Sequence, residues 1–459
     1  MLTIIILLSV SAVSAADNGD SSDNLAAADN QNVIKAAGDG DFNDLKTDIS
    51  GAYVELQRNY TYDSLVQADP DFDPKTGVKI DHGCIIEGHG NYIDGRDVNT
   101  GDSSRIFTIN ADNVVLKNII FLNANHTAVK VTGANCVIDN CTFHDNIIDT
   151  DDSPGAAVYW TGNQGTISNS YFYNNIIDTD DDDEDDRGAA IFWTGDDGTV
   201  KYSNFTNNSA RVGTAISWGY YYNQTTQTDI SISPKRGLVD HCNFDNNTAY
   251  YHGAAITTSG EDFTIKYSNF TNNTGVFSAV IIEKYAKNAN VSQCIFLNNT
   301  AICHDFFKEG TYVGSAALEI LGEYATVEYC DFINNNAYSG DYWLDPQYSV
   351  DDFIINGADI INYTENGISK SLDLRGKSDE EKGQAVDGVL GNYFTWENLH
   401  LIGLKPGINI TSVKKHMTSY AGAAKVVIQV LKRYLIIVIS STTPQIGMVA
   451  WNLMVKMVL

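Results

Sequence analysis

Eight of the nine residues in the run DTDDDDEDD, 178–186, are acidic. Carboxylates are the natural ligands of hard cations, so the chemistry such a run would do is calcium binding, through Asp180, Asp182, Asp183 and Asp185. These carboxylates are nearly contiguous, without the alternating ligand spacing and turn glycine of an EF-hand loop. The expectation is a loose Ca²⁺ loop at most, and a solvated, self-repelling insert is the plainer reading. Arg187 follows directly, where it can pair with the run. No other cofactor is implied.

No catalytic residue is expected elsewhere. The nine histidines are scattered, with no His-Glu-x-x-His or His-x-His spacing, so zinc chemistry and a histidine-assisted nucleophile lack support. EGHG at 87–90 is similar to the Gly-His-Gly of pectin hydrolases. It stands without those enzymes' paired aspartates and downstream Arg and Lys, and a glycine turn is the expected role. A net charge of −29, from 58 acidic against 29 basic residues, argues against nucleic acid as a partner, because its phosphates would be repelled. With 25 Tyr and 18 Phe the chain can still build a core.

Whatever site exists must be positioned by a repeat. Aligned on one phenylalanine, the segments read CVIDNCTFHDN, GTISNSYFYNN, GTVKYSNFTNN, GLVDHCNFDNN, FTIKYSNFTNN, ANVSQCIFLNN and ATVEYCDFINN. Their phenylalanines are Phe143, Phe172, Phe205, Phe244, Phe270, Phe296 and Phe332. Each is preceded by an aliphatic, then by Cys or Ser, and followed by Asn146, Asn175, Asn208, Asn247, Asn273, Asn299 or Asn335. Period-2 spacing puts the Cys/Ser and the Phe on one strand face, and the aliphatic can join that face only across a bend. The Asn should sit at the next corner, where it tolerates the left-handed conformation and can bond the same amide in the coil above. A second ladder follows. Its small residue (Ala156, Ala189, Thr214, Ala254, Ala279, Ala316) and its aliphatic (Val158, Ile191, Ile216, Ile256, Ile281, Leu318) should both face inward. Short strands, bends and loops of varying length predict an all-β right-handed parallel β-helix, a solenoid whose stacked coils bury a core that no single coil could. An antiparallel sandwich would need hairpin signals that are missing.

Four of the seven cysteines (Cys141, Cys242, Cys294 and Cys330) occupy the slot that takes Ser elsewhere, so they are expected to be buried free thiols. Cys294 and Cys330 fall on adjacent coils, within bridging reach. Trp160, Trp193 and Trp218 share one slot of three successive coils. They form either an exposed strip for sugar stacking or an inward stack, and the inward stack is the expectation.

The motif Phe-x-x-Asn followed by Gly-(Gly/Ala)-Ala-(Ile/Val/Leu) resembles the repeat of the polymorphic outer-membrane proteins of chlamydiae. It also resembles the adhesin-like surface proteins of methanogenic archaea, whose opening coils are similar to segment 84–123. The resemblance covers about 80–337. It implies an exported surface protein with an adhesive or structural role. The leading expectation is an adhesin-like, non-enzymatic protein whose partners are glycans or proteins of another cell's surface. The alternative is a carbohydrate-active β-helix enzyme, a polysaccharide lyase or glycoside hydrolase acting on acidic glycans. Its mark would be an Asp/Asp/Arg cluster on one coil face.

The domain reading follows. Residues 1–16 read as a signal peptide, an apolar run leading to small residues at Val13, Ser14 and Ala15, so a secreted or cell-surface location is expected. About a dozen Asn-x-Ser/Thr sequons agree with export as a glycoprotein. Residues 17–50 read as a flexible N-terminal segment, 51–338 as the β-helix with its N-terminal cap, and 339–422 as an irregular insertion or final coils. The tail 423–459 is atypical. No Asp or Glu follows Glu397, and its apolar stretch is split by Lys432 and Arg433. It reads as a shifted reading frame or, failing that, as a poor membrane anchor.

Overall fold

The computed structural model describes residues 38–67, 69–148, 155–177, 187–223, 228–231, 233–276, 278–283, 285–304, 316–320, 322 and 324–340, and separate strands between 349 and 457. Among the described residues, three long sheets of 13, 11 and 11 strands and a shorter one of 8 run the length of a solenoid. One coil shows the plan. Val137–Asp139 lies in an aliphatic sheet, Thr142–His144 in a phenylalanine sheet, Ile147–Ile148 in the short sheet and Val158–Trp160 in a tryptophan sheet. Each strand pairs in parallel with its counterpart one coil later, as Phe143 with Phe172 and Val158 with Ile191. The chain is an all-β right-handed parallel β-helix.

The corners are made by left-handed residues. In the coil of Phe172 these are Gln164, Asn169 and Asn174, with φ of 59°, 53° and 55°. Asn169 is the bend that brings Ile167, Ser170 and Phe172 to one buried face. The third corner differs from expectation. The left-handed residue is Asn174, while the ladder residue Asn175 turns inward and is fully buried. Burial in turn requires that every amide atom be bonded. Asn175 Nδ2 donates to Asn208 Oδ1 at 2.9 Å and to the Phe143 carbonyl at 3.1 Å, and its Oδ1 accepts from Asn146 Nδ2 at 2.9 Å. The pattern continues through Asn247, Asn273 and Asn299 to Asn335. Beside it the phenylalanines stack with centroids 4.7–4.9 Å apart, the natural separation of neighbouring strands.

The tryptophans form an inward stack, 4.5 and 4.7 Å between rings, all fully buried. Gly165 and Gly198 make room for it. A Cβ there would lie 2.3 and 2.5 Å from the Trp160 and Trp193 rings.

The second ladder needs two corrections. Val280, not Ile281, pairs with Ile256 and Leu318, because SAVIIE has one residue fewer ahead of its strand. Ile281 therefore faces away from the main core, where it is still buried, at 1% exposure. The chain also bends just before the strand, which breaks the two-residue alternation. Ala157 and Ala190 join Val158 and Ile191 in the main core, whereas Ala156 and Ala189 pack in a satellite cluster with Ile148, Ile177 and Ala210.

Within the stretch expected to be flexible, Phe42–Asp48 is a helix with an Asp41/Asp44 capping box. It buries Phe42 against Tyr62 and Phe72, closing the first coil. At the far end Phe353–Ile355, Ile408–Thr411 and Lys414–Lys415 extend the tryptophan, aliphatic and phenylalanine sheets. In the tail, Leu435–Ser441 pairs antiparallel with Trp451–Met457. Among the described residues no helix is long and apolar enough to cross a membrane.

Candidate binding face

From Ile138 to Asn335 the spacing from aliphatic to Phe to Asn is the same in every coil. Length varies at the two edges of the tryptophan sheet. Ahead of the strand, the shortest stretch runs from Asn273 to Val280 and the longest from Asn299 to Leu318; after it, Trp193 to Val200 contrasts with Trp218 to Val239. The outward face of this one sheet thus lies between two rows of variable loops. In a solenoid, such loops on a rigid spine are where recognition is built.

The acidic run belongs to the first row. Asp180, Asp182, Asp183 and Asp185 lie outside the described residues; the chain is described again from Arg187, which is buried and bridges to Val212. Among the described residues no group of three or more His, Cys, Asp or Glu side chains could hold a metal.

The outward row of the sheet runs Lys79, Thr108, Lys130, Tyr159, Phe192, Ser217, Thr257, Ile281 and Glu319. Its N-terminal end is basic and its C-terminal end carries a buried carboxyl. At the N-terminal end the Lys130 ammonium lies over the Tyr159 ring, 5.1 Å from its centroid, and Phe192 packs edge-on against Tyr159 at 5.4 Å. Arg105 enters from the adjoining turn, buried to 6% exposure, with Nε donating to the Thr127 carbonyl at 3.2 Å. Burial holds the Arg105 pKa below its ordinary value, against the attraction of Asp73. Burial, and then the neighbouring Arg105, does the same to Lys130. In the middle, Ser217 and Thr257 are fully buried, and Thr257 Oγ1 has no hydrogen-bond partner.

At the C-terminal end Glu283 and Glu319 are both buried to 7% exposure on neighbouring coils. Burial, and then the charge of Glu283, pushes Glu319 up to about 8. Neither end is marked out by the repeat frame alone. The signal that would have found them is an ionisable residue in a slot that takes Ser, Thr or an aromatic in the intervening coils.

The remaining candidates are structural. His89 is left-handed, with φ 52°, inside a tight turn closed by Asn91 N–H on the Gly88 carbonyl at 2.9 Å. A shallow cavity of about 320 Å³ opens beside it, lined by Glu87, Asn118, Asn140 and Tyr171 among others. Its carboxylate is already engaged, accepting from His89 N at 3.1 Å and Asn118 Nδ2 at 2.6 Å. Six cysteines are described, all free and buried. Burial pushes Cys141 and Cys242 up to about 12, and Cys294 is raised by burial and by the adjacent Cys330. These are inert core groups.

Among solved structures, the chain is similar to a complex of alginate lyase AlyF-OU02 with G6, at 15% identity and a TM-score of 0.40 over 83% of this chain and 74% of that one. It is also similar to a PL6 alginate lyase complexed with a trisaccharide, at 12% identity and a TM-score of 0.38 over 90% of this chain and 91% of that one. No curated protein matches the chain. The family model described as a right-handed β-helix region matches residues 156–355, from the first small residue of the second ladder to the strand Phe353–Ile355.

Proposed function

We propose that the chain is an exported cell-surface β-helix protein, adhesin-like and non-enzymatic, which presents loops along a rigid spine and binds glycans at the accessible N-terminal part of the outward face of its tryptophan sheet, around Lys79, Lys130 and Tyr159. The observation that carries this reading is the confinement of length variation to the two edges of that sheet, while the other spacings repeat unchanged. The acidic run is then surface decoration that holds cations loosely. A glycan and cell-binding screen of the full chain tests it. Retention by a defined set of glycans or cells supports the reading, and no retention at any concentration up to the millimolar range removes it.

One observation favours the carbohydrate-active alternative. Glu319, buried beside Glu283, keeps its proton near neutrality, and a protonated carboxyl is what glycoside hydrolysis requires of its acid. The basic end cannot assist them. Six strand spacings separate Lys130 from Glu319, on the order of 29 Å at about 4.8 Å each. Turnover of any acidic glycan that is abolished by Glu319→Gln would replace the adhesin reading with this one.

A further inference from the structure

The corner after each phenylalanine strand sets an exposed asparagine beside the inward one. Asn207, Asn246, Asn272 and Asn298 occupy it in successive coils, left-handed with φ of 54°, 55°, 54° and 55°, and all four are exposed. Each opens an Asn-x-Ser/Thr sequence, completed by Ser209, Thr248, Thr274 or Thr300 where the short-sheet strand begins. The fold demands neither residue of the pair. Asp145 turns the same corner with φ 54°, and Ile147 and Ile176 fill the strand slot in earlier coils.

Hydrogen bonding separates the exposed amides from their inward neighbours. Asn247 Nδ2 spends both protons, on the Phe205 carbonyl at 3.1 Å and on Asn273 Oδ1 at 2.9 Å. Among the described residues, Asn246 Nδ2 makes one bond, to Asn207 Oδ1 at 2.5 Å, and Asn272 Nδ2 makes one, to Asp245 Oδ1 at 3.3 Å. A primary amide has two N–H donors, so each of these keeps a proton that the fold does not use. Replacing that proton by carbon leaves the corner bond in place. The hydroxyl divides the row further. Thr248, Thr274 and Thr300 are half-buried, whereas Ser209 Oγ is buried without a partner.

We propose that Asn246, Asn272 and Asn298 are acceptor sites for asparagine-linked glycans, with Asn207 left bare beside its buried serine hydroxyl. The co-substrate is an oligosaccharide carried on a lipid phosphate and delivered by a transferase. The bond from Nδ2 to the anomeric carbon forms, and the bond from that carbon to the phosphate oxygen breaks with its electron pair staying on the phosphate. The unused Nδ2 proton passes to a base of the transferase. Successive coils lie about 4.8 Å apart, less than the width of a pyranose with its hydroxyls, so neighbouring acceptors exclude each other. One molecule therefore carries glycans at Asn246 and Asn298, about 9.6 Å apart, or at Asn272. This inference rests on the export in the proposed function, since the modification belongs to exported chains.

The test has two arms. In the first, the folded full chain is incubated with a soluble oligosaccharide transferase and a lipid-linked oligosaccharide, and modified residues are mapped by peptide mass. The expected result is glycan at Asn246, Asn272 and Asn298, never on adjacent coils of one molecule. Asn207 stays bare, as do Asn125 and Asn290, which open the same kind of sequence but have buried Oδ1 atoms. Thr274→Val keeps a β-branched residue in the slot that Ile147 and Ile176 fill, so the unfolding midpoint should hold within a few degrees while the glycan at Asn272 is lost. A bare corner, equal modification of Asn207, or an Asn272 glycan that survives Thr274→Val overturns the assignment. The second arm maps the chain recovered from outside the cells that make it. Its absence there removes the export reading and leaves the acceptor geometry to the first arm. An exported chain with a bare corner and glycans elsewhere removes this inference and leaves export standing.

Discussion

At the scale of single residues the fold depends on groups that must satisfy one another. The Asn ladder is the clearest case. Each inward amide holds its neighbours above and below, so replacing one strands polar atoms on both sides. Asn208→Ala should cost roughly 2–4 kcal/mol, more than one exposed amide would, because Asn175 and Asn247 each lose a buried partner. Denaturant midpoints measure this, with Asn207→Ala as the control at the left-handed corner beside it. Glu319 makes a prediction of opposite character. Its folded pKa of about 8 lies above the ordinary 4.5, so the folded chain holds a proton that the unfolded chain has released across that interval. Its contribution is complete below about pH 4 and is lost as pH rises towards 8. Stability of the C-terminal coils should therefore fall by a few kcal/mol over that range in the parent and stay flatter in Glu319→Gln, read by hydrogen exchange against pH.

At the scale of elements, the frame and the loops are separable. The coil is described again from Arg187 and Gly188 in the same register as its neighbours, with Ile191 opposite Val158, so the ladder register is kept on both sides of the acidic run. Replacing 179–186 by a short Gly-Ser turn should leave the thermal midpoint within a few degrees. A drop of ten degrees or more would show that the run supports the coil. Much of this was legible in the sequence. The Phe, Asn and aliphatic slots, the inward tryptophans and the free thiols follow from spacing and from Cys/Ser alternation. What escaped did so for physical reasons. Register in SAVIIE is set by pairing across coils, so counting from its small residue mislabels Ile281. The bend before the second ladder breaks period-2 logic, which holds only within a strand. The left-handed Asn174 and the inward Asn175 are adjacent and of one type, and only their neighbours tell them apart. The face bearing Lys130 and Glu319 emerged once the coils were aligned in space, since its members are separated in sequence by whole coils.

At the scale of the whole molecule, a stack of short parallel strands carries a large negative charge on a spine held mainly by interior ladders. Self-repulsion of that charge should make the chain more stable as salt rises, by several degrees between low ionic strength and physiological salt at neutral pH. A salt-insensitive midpoint would mean that the acidic residues are locally neutralised. The spine also sets the geometry of recognition, because every coil repeats the same three surfaces and one of them is flanked by loops that vary. Exposed tyrosines lie elsewhere, with Tyr202, Tyr267 and Tyr329 on the corner between the aliphatic and phenylalanine sheets. That corner is a competing surface for any ligand. Hydroxyl-radical footprinting of the full chain, with and without a glycan it retains, therefore tests the central claim most directly. The account expects protection at Tyr159, the accessible aromatic of the tryptophan-sheet face, with Tyr202, Tyr267 and Tyr329 unchanged. Protection of those three with Tyr159 unaffected would contradict it.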